Sequence, residues 1–262
     1  MVFARKRFGQ HFLEPAWVEK VVREIDPRPD DHFIEIGPGG GALTRPLAAR
    51  ARAVVAYEID RDLAAALRDA RIGNLTVVDG DFLDRAVGPA AAEPPHRVRV
   101  AGNLPYNVAS PILFKLADMY AAGLQIADAT VMLQREVADR LAAKPGTAEY
   151  GVLSVLMQHV ADVELLLKLP AGAFRPAPKV LSALVRLRFH APDPPVGDAN
   201  VFVAVVQAVF TRRRKTLANA LLAYEPLARA SAAEVLAAAR LDGRRRPETL
   251  TVAEFARLTA AL

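Results

Sequence analysis

The chain has 262 residues, a formal net charge of +5 and no cysteine. Its 52% hydrophobic content is enough for a buried core, and the missing cysteine excludes disulfide bonds and thiolate metal sites. No apolar run approaches the ~18 residues of a membrane span, and the basic opening MVFARKRFGQHF does not resemble a secretory signal. We therefore expect a cytoplasmic protein that does not bind membranes.

Seven strand-like apolar runs occur in the first part of the chain, at 32–36, 53–59, 75–80, 97–103, 129–134, 162–169 and 180–189. Ala- and Leu-rich segments of helical period separate most of these runs, which predicts a parallel sheet with helices on both faces. The last two runs are joined by LPAGAFRPAPK without a helix, so we expect an antiparallel pair at the end of the sheet. The prediction is an α/β, Rossmann-like domain over residues 1–190.

The pattern changes at the proline-rich segment HAPDPPVGDAN. Residues 191–198 are interpreted as a linker. In the segments after them the apolar residues recur with the period of a helix, which predicts a small all-α domain over residues 199–262. That domain holds ten Lys or Arg against five Asp or Glu, whereas the rest of the chain holds 24 of each. The whole excess of positive charge is therefore expected on the helical domain.

Basic residues also cluster locally. A solvent-exposed protein face is a sufficient explanation for any single cluster. If the run at 212–215 lies on a helix, residues 212, 215 and 216 would share one side that could bind phosphates. Several clusters in one chain favour a polyanionic partner such as nucleic acid. The candidate RNA-binding residues are Arg5, Lys6, Arg7, Arg212, Arg213, Arg214 and Lys215.

A glycine cluster follows the first strong strand in FIEIGPGGGALT and precedes a helix. Glycine lets the backbone turn sharply and approach a ligand closely, and the spacing Gly37-x-Gly39-x-x-Ala42 satisfies the dinucleotide fingerprint. Glu58 ends the next strand, where an acid can accept hydrogen bonds from a ribose diol. Both a nicotinamide dinucleotide and S-adenosylmethionine carry that diol, so these motifs leave both open, beside the simpler interpretation of a tight turn with a capping acid.

A third acidic residue, Asp81 in GDFLD, follows the third strand and could accept from an adenine amine beside Phe82. Acidic residues then occur near the ends of three successive strands, at Glu35, Glu58 and Asp81. This arrangement favours S-adenosylmethionine, because a dinucleotide fold needs a second mononucleotide half that the sequence does not show.

The segment Asn103-Leu104-Pro105-Tyr106 ends the fourth strand-like run. An aromatic amine is a poor nucleophile because its lone pair is delocalised into the ring. If the Asn103 side-chain oxygen and the Leu104 carbonyl both accept from the amine, its lone pair becomes available to attack a sulfonium methyl. Pro105 would hold the turn and Tyr106 would stack on the base. A strand-terminating turn with a buried tyrosine is the alternative without chemistry.

Nine motifs follow one another along the chain: RFGQHFL, EIGPGGGALT, YEID, GDFL, GNLPYN, LQREVADRL, YGVLSV, FRPAPKVLSALVRL and RRRKTLANAL. In this order they resemble the ribosomal RNA adenine dimethyltransferases, most closely the KsgA branch, which dimethylates adenines of small-subunit RNA. The resemblance covers nearly the whole chain, from about residue 4 to the last helix.

The resemblance implies an S-adenosylmethionine-dependent enzyme, without a metal, that dimethylates N6 of two adjacent adenines near the 3′ end of 16S RNA. It implies action on the small ribosomal subunit during ribosome biogenesis, with the C-terminal helices contacting RNA. We expect a monomer. The adenine would meet Asn103, Leu104, Pro105, Tyr106 and, as a second aromatic wall, Phe174. The residues implied at the methyl donor are His11, Leu13, Gly37, Glu58, Asp81 and Asn103.

One position departs from the family pattern, because His11 stands where asparagine is usual. A neutral histidine can still donate from one ring nitrogen, so we expect donor binding to survive. Two alternatives stay open: a resistance-type methyltransferase of large-subunit RNA, and a non-catalytic ribosome-assembly factor. An intact Asn103–Tyr106 segment argues against the second, and the C-terminal helices against the first.

Overall fold

A computed structural model describes residues 11–85, 87, 97–226 and 231–262. The chain divides into two compact units, Met1–Ala138 with Asp162–Phe189, and Asp139–Ala161 with His190–Leu262. The second unit thus includes an internal segment that the sequence pattern grouped with the α/β part. Its residues pack with later helices: the rings of Tyr150 and Phe210 are 6.4 Å apart.

The described part of the first unit contains a seven-stranded sheet and a two-stranded sheet. The small sheet pairs β1 with β8, and the large sheet has the order β4-β3-β2-β5-β6-β9-β7. The strands are β1 Phe12–Leu13, β2 His32–Ile36, β3 Ala53–Glu58, β4 Leu75–Asp79, β5 Val98–Asn103, β6 Ile126–Gln134, β7 Ala161–Leu169, β8 Phe174–Arg175 and β9 Ser182–Phe189.

The order of the large sheet reverses direction between β2 and β5. The chain first runs outward from β2 through β3 to β4 and then returns to the other side of β2, and all these neighbours are parallel. β6 continues the parallel run, and β9 pairs with it antiparallel. The predicted α/β class with an antiparallel strand late in the sheet is confirmed, and a crevice is expected where the order reverses.

The helices of the described residues begin and end at recognisable signals. Pro15 occupies the first turn of α1, and the Asp60 carboxylate accepts from the Asp62 N–H at the start of α3. The helices are α1 Pro15–Ile25, α2 Thr44–Ala48, α3 Arg61–Asp69, α4 Ala109–Ala121, α5 Arg135–Leu141, α6 Val152–Gln158, α7 Ala199–Thr211, α8 Leu217–Leu221, α9 Ser231–Ala238 and α10 Val252–Ala260.

The second unit is helical in its described residues, and its last helix is fixed by a capping box. The Thr251 hydroxyl accepts from the Glu254 N–H at 3.2 Å, while the Glu254 carboxylate accepts from the Thr251 N–H at 2.9 Å. The same carboxylate accepts two hydrogen bonds from Arg245, which lowers the pKa of Glu254. No helix within the described ranges is long and apolar enough to cross a membrane.

The basic run 212–215 does not lie on a helix, in contrast to the expected helical face. α7 ends at Thr211, and Arg212 to Lys215 form a turn in which the Lys215 N–H donates to the Arg212 carbonyl at 2.8 Å. The helix ends here because the chain must turn before α8, whose first residue, Leu217, is fully buried. The Arg213 guanidinium donates to the Thr147 carbonyl at 3.0 Å.

A buried charge cluster fixes the end of β5 that lies away from the crevice. The Arg99 guanidinium donates to Asp31 at 2.7 Å and to Asp128 at 2.9 Å, and it also reaches the carbonyls of Ile25 and Asp26. The side chain of Arg99 is only 12% exposed. These carboxylates outweigh burial and raise the pKa of Arg99.

We predict that Arg99→Met lowers the free energy of unfolding by about 3–5 kcal/mol, because it leaves two largely buried carboxylates without their counter-ion. The matched control is Arg28→Met, whose exposed pair with Asp26 should contribute less than about 1 kcal/mol. Urea denaturation measures both variants. Equal midpoints for the two variants would contradict a stabilising role of the cluster.

Candidate active site

A pocket lies at the point where the strand order reverses. β2 and β5 are adjacent and parallel, so that Ile36 pairs with Gly102 and the residues after both strands meet at one edge. The pocket is lined by His11, Phe12, Leu13, Glu35, Gly37, Pro38, Gly39, Ala42, Leu43, Glu58, Ile59, Asn103, Leu104, Pro105, Tyr106 and Met132.

The glycine loop after β2 requires glycine at defined positions. Gly37 and Gly39 adopt φ values of +69° and +57°, a region that other residues rarely occupy. A Cβ atom on Gly39 would lie 2.9 Å from the Phe12 ring, which packs over the loop. The loop is therefore closed on one side by Phe12 and open towards the pocket.

Glu58 organises this loop from the end of β3. It is 3% exposed, and its two oxygens accept from the backbone N–H groups of Gly39 and Asp60, each at 2.9 Å. Burial raises the pKa of Glu58, and the two backbone hydrogen bonds oppose that rise. Each carboxylate oxygen has a second lone pair, so Glu58 can still accept from a ligand hydroxyl.

A second pocket adjoins the first and shares Gly37, Ile59 and Pro105 with it. It contains Asp81 and Phe82, which follow β4. The Asp81 Oδ1 atom accepts from the Leu83 N–H at 2.9 Å and so holds the turn that carries both residues. The two pockets are therefore neighbours along the edge of the sheet, and together they are called the cleft.

Lys115 holds the Asp81 turn from α4. Its ammonium donates to three carbonyl oxygens, those of Phe82 at 2.6 Å, Leu83 at 2.8 Å and Arg85 at 2.7 Å. Burial lowers the pKa of Lys115, an effect that Asp84 and Asp81 oppose. Three charge-assisted hydrogen bonds from one side chain keep the turn in place.

The edge after β5 is held by hydrogen bonds on both sides. The Asn103 Nδ2 atom donates to the His11 carbonyl at 2.7 Å. Because a carbonyl can only accept, this contact fixes the amide so that Oδ1 is available as an acceptor. The Leu104 N–H donates to the Met132 carbonyl at 3.1 Å, and the Val108 N–H donates to the Pro105 carbonyl at 3.1 Å.

Tyr106 completes this edge with a flat ring in a fixed position. Its hydroxyl is 2.7 Å from the Ser182 Oγ atom, and burial raises the pKa of Tyr106. The rings of Tyr106 and His11 are stacked, with centroids 5.5 Å apart and planes at 24°. The His11 Nδ1 atom donates to the Pro176 carbonyl at 2.7 Å, which orients the imidazole. Two aromatic faces therefore stand beside the Asn103 amide.

The structure brings most of the predicted site residues together. His11, Leu13, Gly37, Glu58 and the Asn103–Tyr106 segment line the first pocket, and Asp81 lines the adjoining one. Phe174 lines neither pocket. It is 1% exposed and belongs to the core, because its pairing with Leu13 in the two-stranded sheet directs the ring inward. This placement differs from the expected aromatic wall.

The predicted RNA-binding residues are not among the lining residues of either pocket, or they lie beyond the described ranges. Arg5, Lys6 and Arg7 lie outside the described residues. Arg212 to Lys215 belong to the second unit, where Arg212, Arg214 and Lys215 are exposed. Within the described ranges, no group of three His, Asp or Glu side chains could hold a metal ion.

Sequence reasoning missed several residues that shape the cleft. Phe12 and Met132 line it, Ser182 positions Tyr106, and Lys115 holds the Asp81 turn. Lys115 contacts Phe82, 33 residues away, and Ser182 contacts Tyr106, 76 residues away, and no local pattern indicates such contacts. Glu35 was noted only as one of three acids at strand ends, although its position one residue before the end of a buried strand was a usable signal.

The family model of the ribosomal RNA adenine dimethylases matches residues 1–258 of the chain. The ribosomal RNA small subunit methyltransferase A of Acinetobacter baylyi is 44% identical over 261 residues, which cover 98% of this chain and 91% of that protein. The protein of the same name from Xanthomonas campestris pv. campestris is 46% identical over 259 residues, covering 97% of this chain and 95% of that protein.

Two solved structures share the fold over nearly the whole chain. A dimethyladenosine transferase from Plasmodium falciparum superposes with a TM-score of 0.80 and 24% identity, covering 95% of this chain and 96% of that one. The 23S rRNA methyltransferase ErmE has a TM-score of 0.68 and 30% identity, with 96% and 99% covered. The expected Rossmann-like fold and the resemblance to this enzyme family are both confirmed.

We predict that Lys115→Met loosens the Asp81 turn, because each lost hydrogen bond from a charged donor is typically worth about 1.5–3 kcal/mol. The amide hydrogens of Asp84 and Arg85, which donate to the Asp81 carbonyl, should exchange at least about tenfold faster. Hydrogen exchange measures these amide rates, and Lys20→Met, at an exposed position of α1, is the control. Unchanged exchange at Asp84 and Arg85 would show that Lys115 does not hold the turn.

Proposed function

The chain belongs to the ribosomal RNA adenine dimethylase family, and on this premise we propose that it methylates adenine N6 in small-subunit (16S) ribosomal RNA. The methyl donor is S-adenosylmethionine, and each target amine receives two methyl groups. The targets are two adjacent adenines near the 3′ end of the RNA. The observation that carries the proposal is the fixed Asn103 amide beside the Tyr106 ring, at the mouth of an acidic pocket.

The lining of the cleft suits the chemistry of the donor. Asp81 and Phe82 offer an acceptor and an apolar face for an adenine, and the Glu58 carboxylate offers an acceptor for a ribose diol. A side chain on Gly39 would collide with Phe12, so the loop must keep its close-fitting backbone. When bound, S-adenosylmethionine supplies an electrophilic methyl group. Asp81, Glu58 and the glycine loop orient it within the cleft.

The acceptor amine is activated by hydrogen bonding at the Asn103 edge. The Asn103 Oδ1 atom and the Leu104 carbonyl accept from the adenine N6 hydrogens, which frees the nitrogen lone pair from the ring. Tyr106 stacks on the base and keeps its plane in register with these acceptors. The proton of the methylated nitrogen is acidic and leaves without a dedicated base. The adenine must first leave its stack in the RNA.

The remaining parts of the proposal concern partners and location. The second unit contacts RNA through exposed Arg212, Arg214 and Lys215, with Arg213 held partly by Thr147. Arg5, Lys6 and Arg7, outside the described residues, are further candidates for binding RNA, and the two units correspond to a catalytic and an RNA-contacting domain. We propose a cytoplasmic monomer that acts on the small ribosomal subunit during ribosome biogenesis and needs no metal.

The small subunit is preferred to the large one because of the relatives. Proteins named for the small subunit are 44% and 46% identical to this chain, whereas ErmE is 30% identical. The catalytic edge gives no preference, because the same adenine chemistry serves both substrates. A purely non-catalytic assembly factor is disfavoured, since a binding module needs no amine-activating edge.

We predict that the protein transfers label from S-adenosylmethionine to unmethylated small subunits, recovered as N6,N6-dimethyladenine, and not to large subunits. Asn103→Ala should lower kcat about 10²–10³-fold, the usual loss on removing one group that stabilises the transition state. The control is Asn200→Ala at the exposed start of α7, which should keep full activity.

Label on large subunits alone would move the chain to the other branch of the family. No label on either particle, with S-adenosylmethionine still bound, would identify an assembly factor. Full activity of Asn103→Ala would contradict the proposed activation of the amine.

A further inference from the structure

The buried carboxyl of Glu35 has no assigned role in the chemistry above. Glu35 is the fourth residue of β2, is 1% exposed and lines the first pocket. Its Oε2 atom is buried and has no hydrogen-bond partner among the described residues. An unpaired buried carboxyl is costly in a purely structural position, so its presence here calls for a ligand.

The surroundings of Glu35 keep it protonated in the free protein. Burial is the main cause that raises the pKa of Glu35 to about 8; the Thr44 hydroxyl at the start of α2 opposes this rise, and the nearby Glu58 on β3 contributes to it. With a pKa of about 8 the carboxyl is about nine-tenths protonated at pH 7.

The pocket around Glu35 suits a cation. Its titratable lining residues are Glu35 on β2, Glu58 on β3, His11 before β1 and Tyr106 after β5. Asn103 on β5 contributes a neutral amide, and no Lys or Arg occurs among the described residues of the lining. Two carboxyl groups and no fixed positive charge make this an acidic pocket.

The layout of the cleft indicates which end of the donor reaches Glu35. The adenosine part is assigned to Asp81, Phe82 and Glu58, and the second pocket joins the first across Gly37, Ile59 and Pro105. The rest of the donor must then lie in the first pocket, on the side of Glu35 and Asn103. That part carries the positively charged sulfonium and an amino-acid end whose ammonium and carboxylate charges offset each other, so the sulfonium is its uncompensated positive charge.

We propose, on the basis of the function proposed above, that Glu35 is the counter-charge for the sulfonium end of the methyl donor and loses its proton when the donor binds. A positive charge beside a carboxyl favours its ionised form, and the effect is large in a buried pocket. The by-product S-adenosylhomocysteine has a neutral sulfur, so it stabilises the ionised carboxylate of Glu35 less. Glu35 therefore separates the donor from the by-product by charge and favours release of the by-product after transfer.

Isothermal titration calorimetry at pH 7 in buffers of different ionisation enthalpy tests the proton balance directly. The expected result is release of close to one proton per S-adenosylmethionine bound and clearly fewer per S-adenosylhomocysteine. Between pH 6 and pH 7 the affinity for S-adenosylmethionine should rise several-fold, up to tenfold. The sign follows because binding requires the ionised carboxyl, whose fraction increases with pH below its pKa.

Glu35→Gln isolates the contribution of this carboxyl from those of Glu58 and His11. Glutamine keeps the size of the neutral acid but cannot ionise. We expect Kd for S-adenosylmethionine to rise at least about tenfold, Kd for S-adenosylhomocysteine to change less than about threefold, and the extra proton release to disappear. Glu19→Gln, at an exposed position on α1, is the matched control and should behave like the unaltered protein.

The outcomes separate this inference from the proposed function. If the unaltered protein binds neither molecule, the proposed function fails. If it binds S-adenosylmethionine with no more proton release than S-adenosylhomocysteine, or if Glu35→Gln keeps the same ratio of the two affinities, the role of Glu35 is overturned. A thermal melting curve checks that the Glu35→Gln variant folds. If the variant does not fold, the proton release of the unaltered protein tests the role of Glu35.

Discussion

The contact between the ends of β2 and β5 is the constraint on which the rest of the structure depends. A Cβ atom on Gly102 would lie 2.4 Å from the Ile36 carbonyl oxygen, so only glycine allows the two backbones to come this close. This approach places Gly37 and Asn103, the next residue of each strand, at the same edge of the sheet. The glycine loop and the Asn103 edge are thus neighbours because of one missing side chain.

The electrostatics of the cleft follow from this geometry. Strands that end together bring the carboxyls of Glu35 and Glu58 into one pocket, and burial raises the pKa of both. The backbone hydrogen bonds of the glycine loop stabilise the charge of Glu58, whereas Glu35 lacks such partners in the described structure. Two similar side chains in one pocket can therefore serve different purposes, one as a ribose acceptor and one as a counter-charge for a cation.

The sequence predicted the parts of the structure that local patterns determine. Period-two and period-3.6 hydrophobicity located the seven strands of the large sheet, including the antiparallel β9. The glycine loop, Glu58, Asp81 and Asn103 were singled out because each ends a strand or follows one closely. Contacts between distant segments could not be predicted. The burial of Phe174, the bond from Tyr106 to Ser182 and the clamp by Lys115 depend on how segments pack. The turn at Arg212–Lys215 replaced an expected helical face because the packing of Leu217 overrides local propensity.

The proposed chemistry depends on where the acceptor adenine binds. The most direct measurement is a crystal structure of the protein with S-adenosylmethionine and adenosine. We predict that N6 of the acceptor adenine lies within about 3 Å of the Asn103 Oδ1 atom and the Leu104 carbonyl, stacked on Tyr106, with the adenine of the donor against Asp81. An acceptor base bound away from Asn103, or an Asn103 amide turned so that its nitrogen faces the base, would contradict the account.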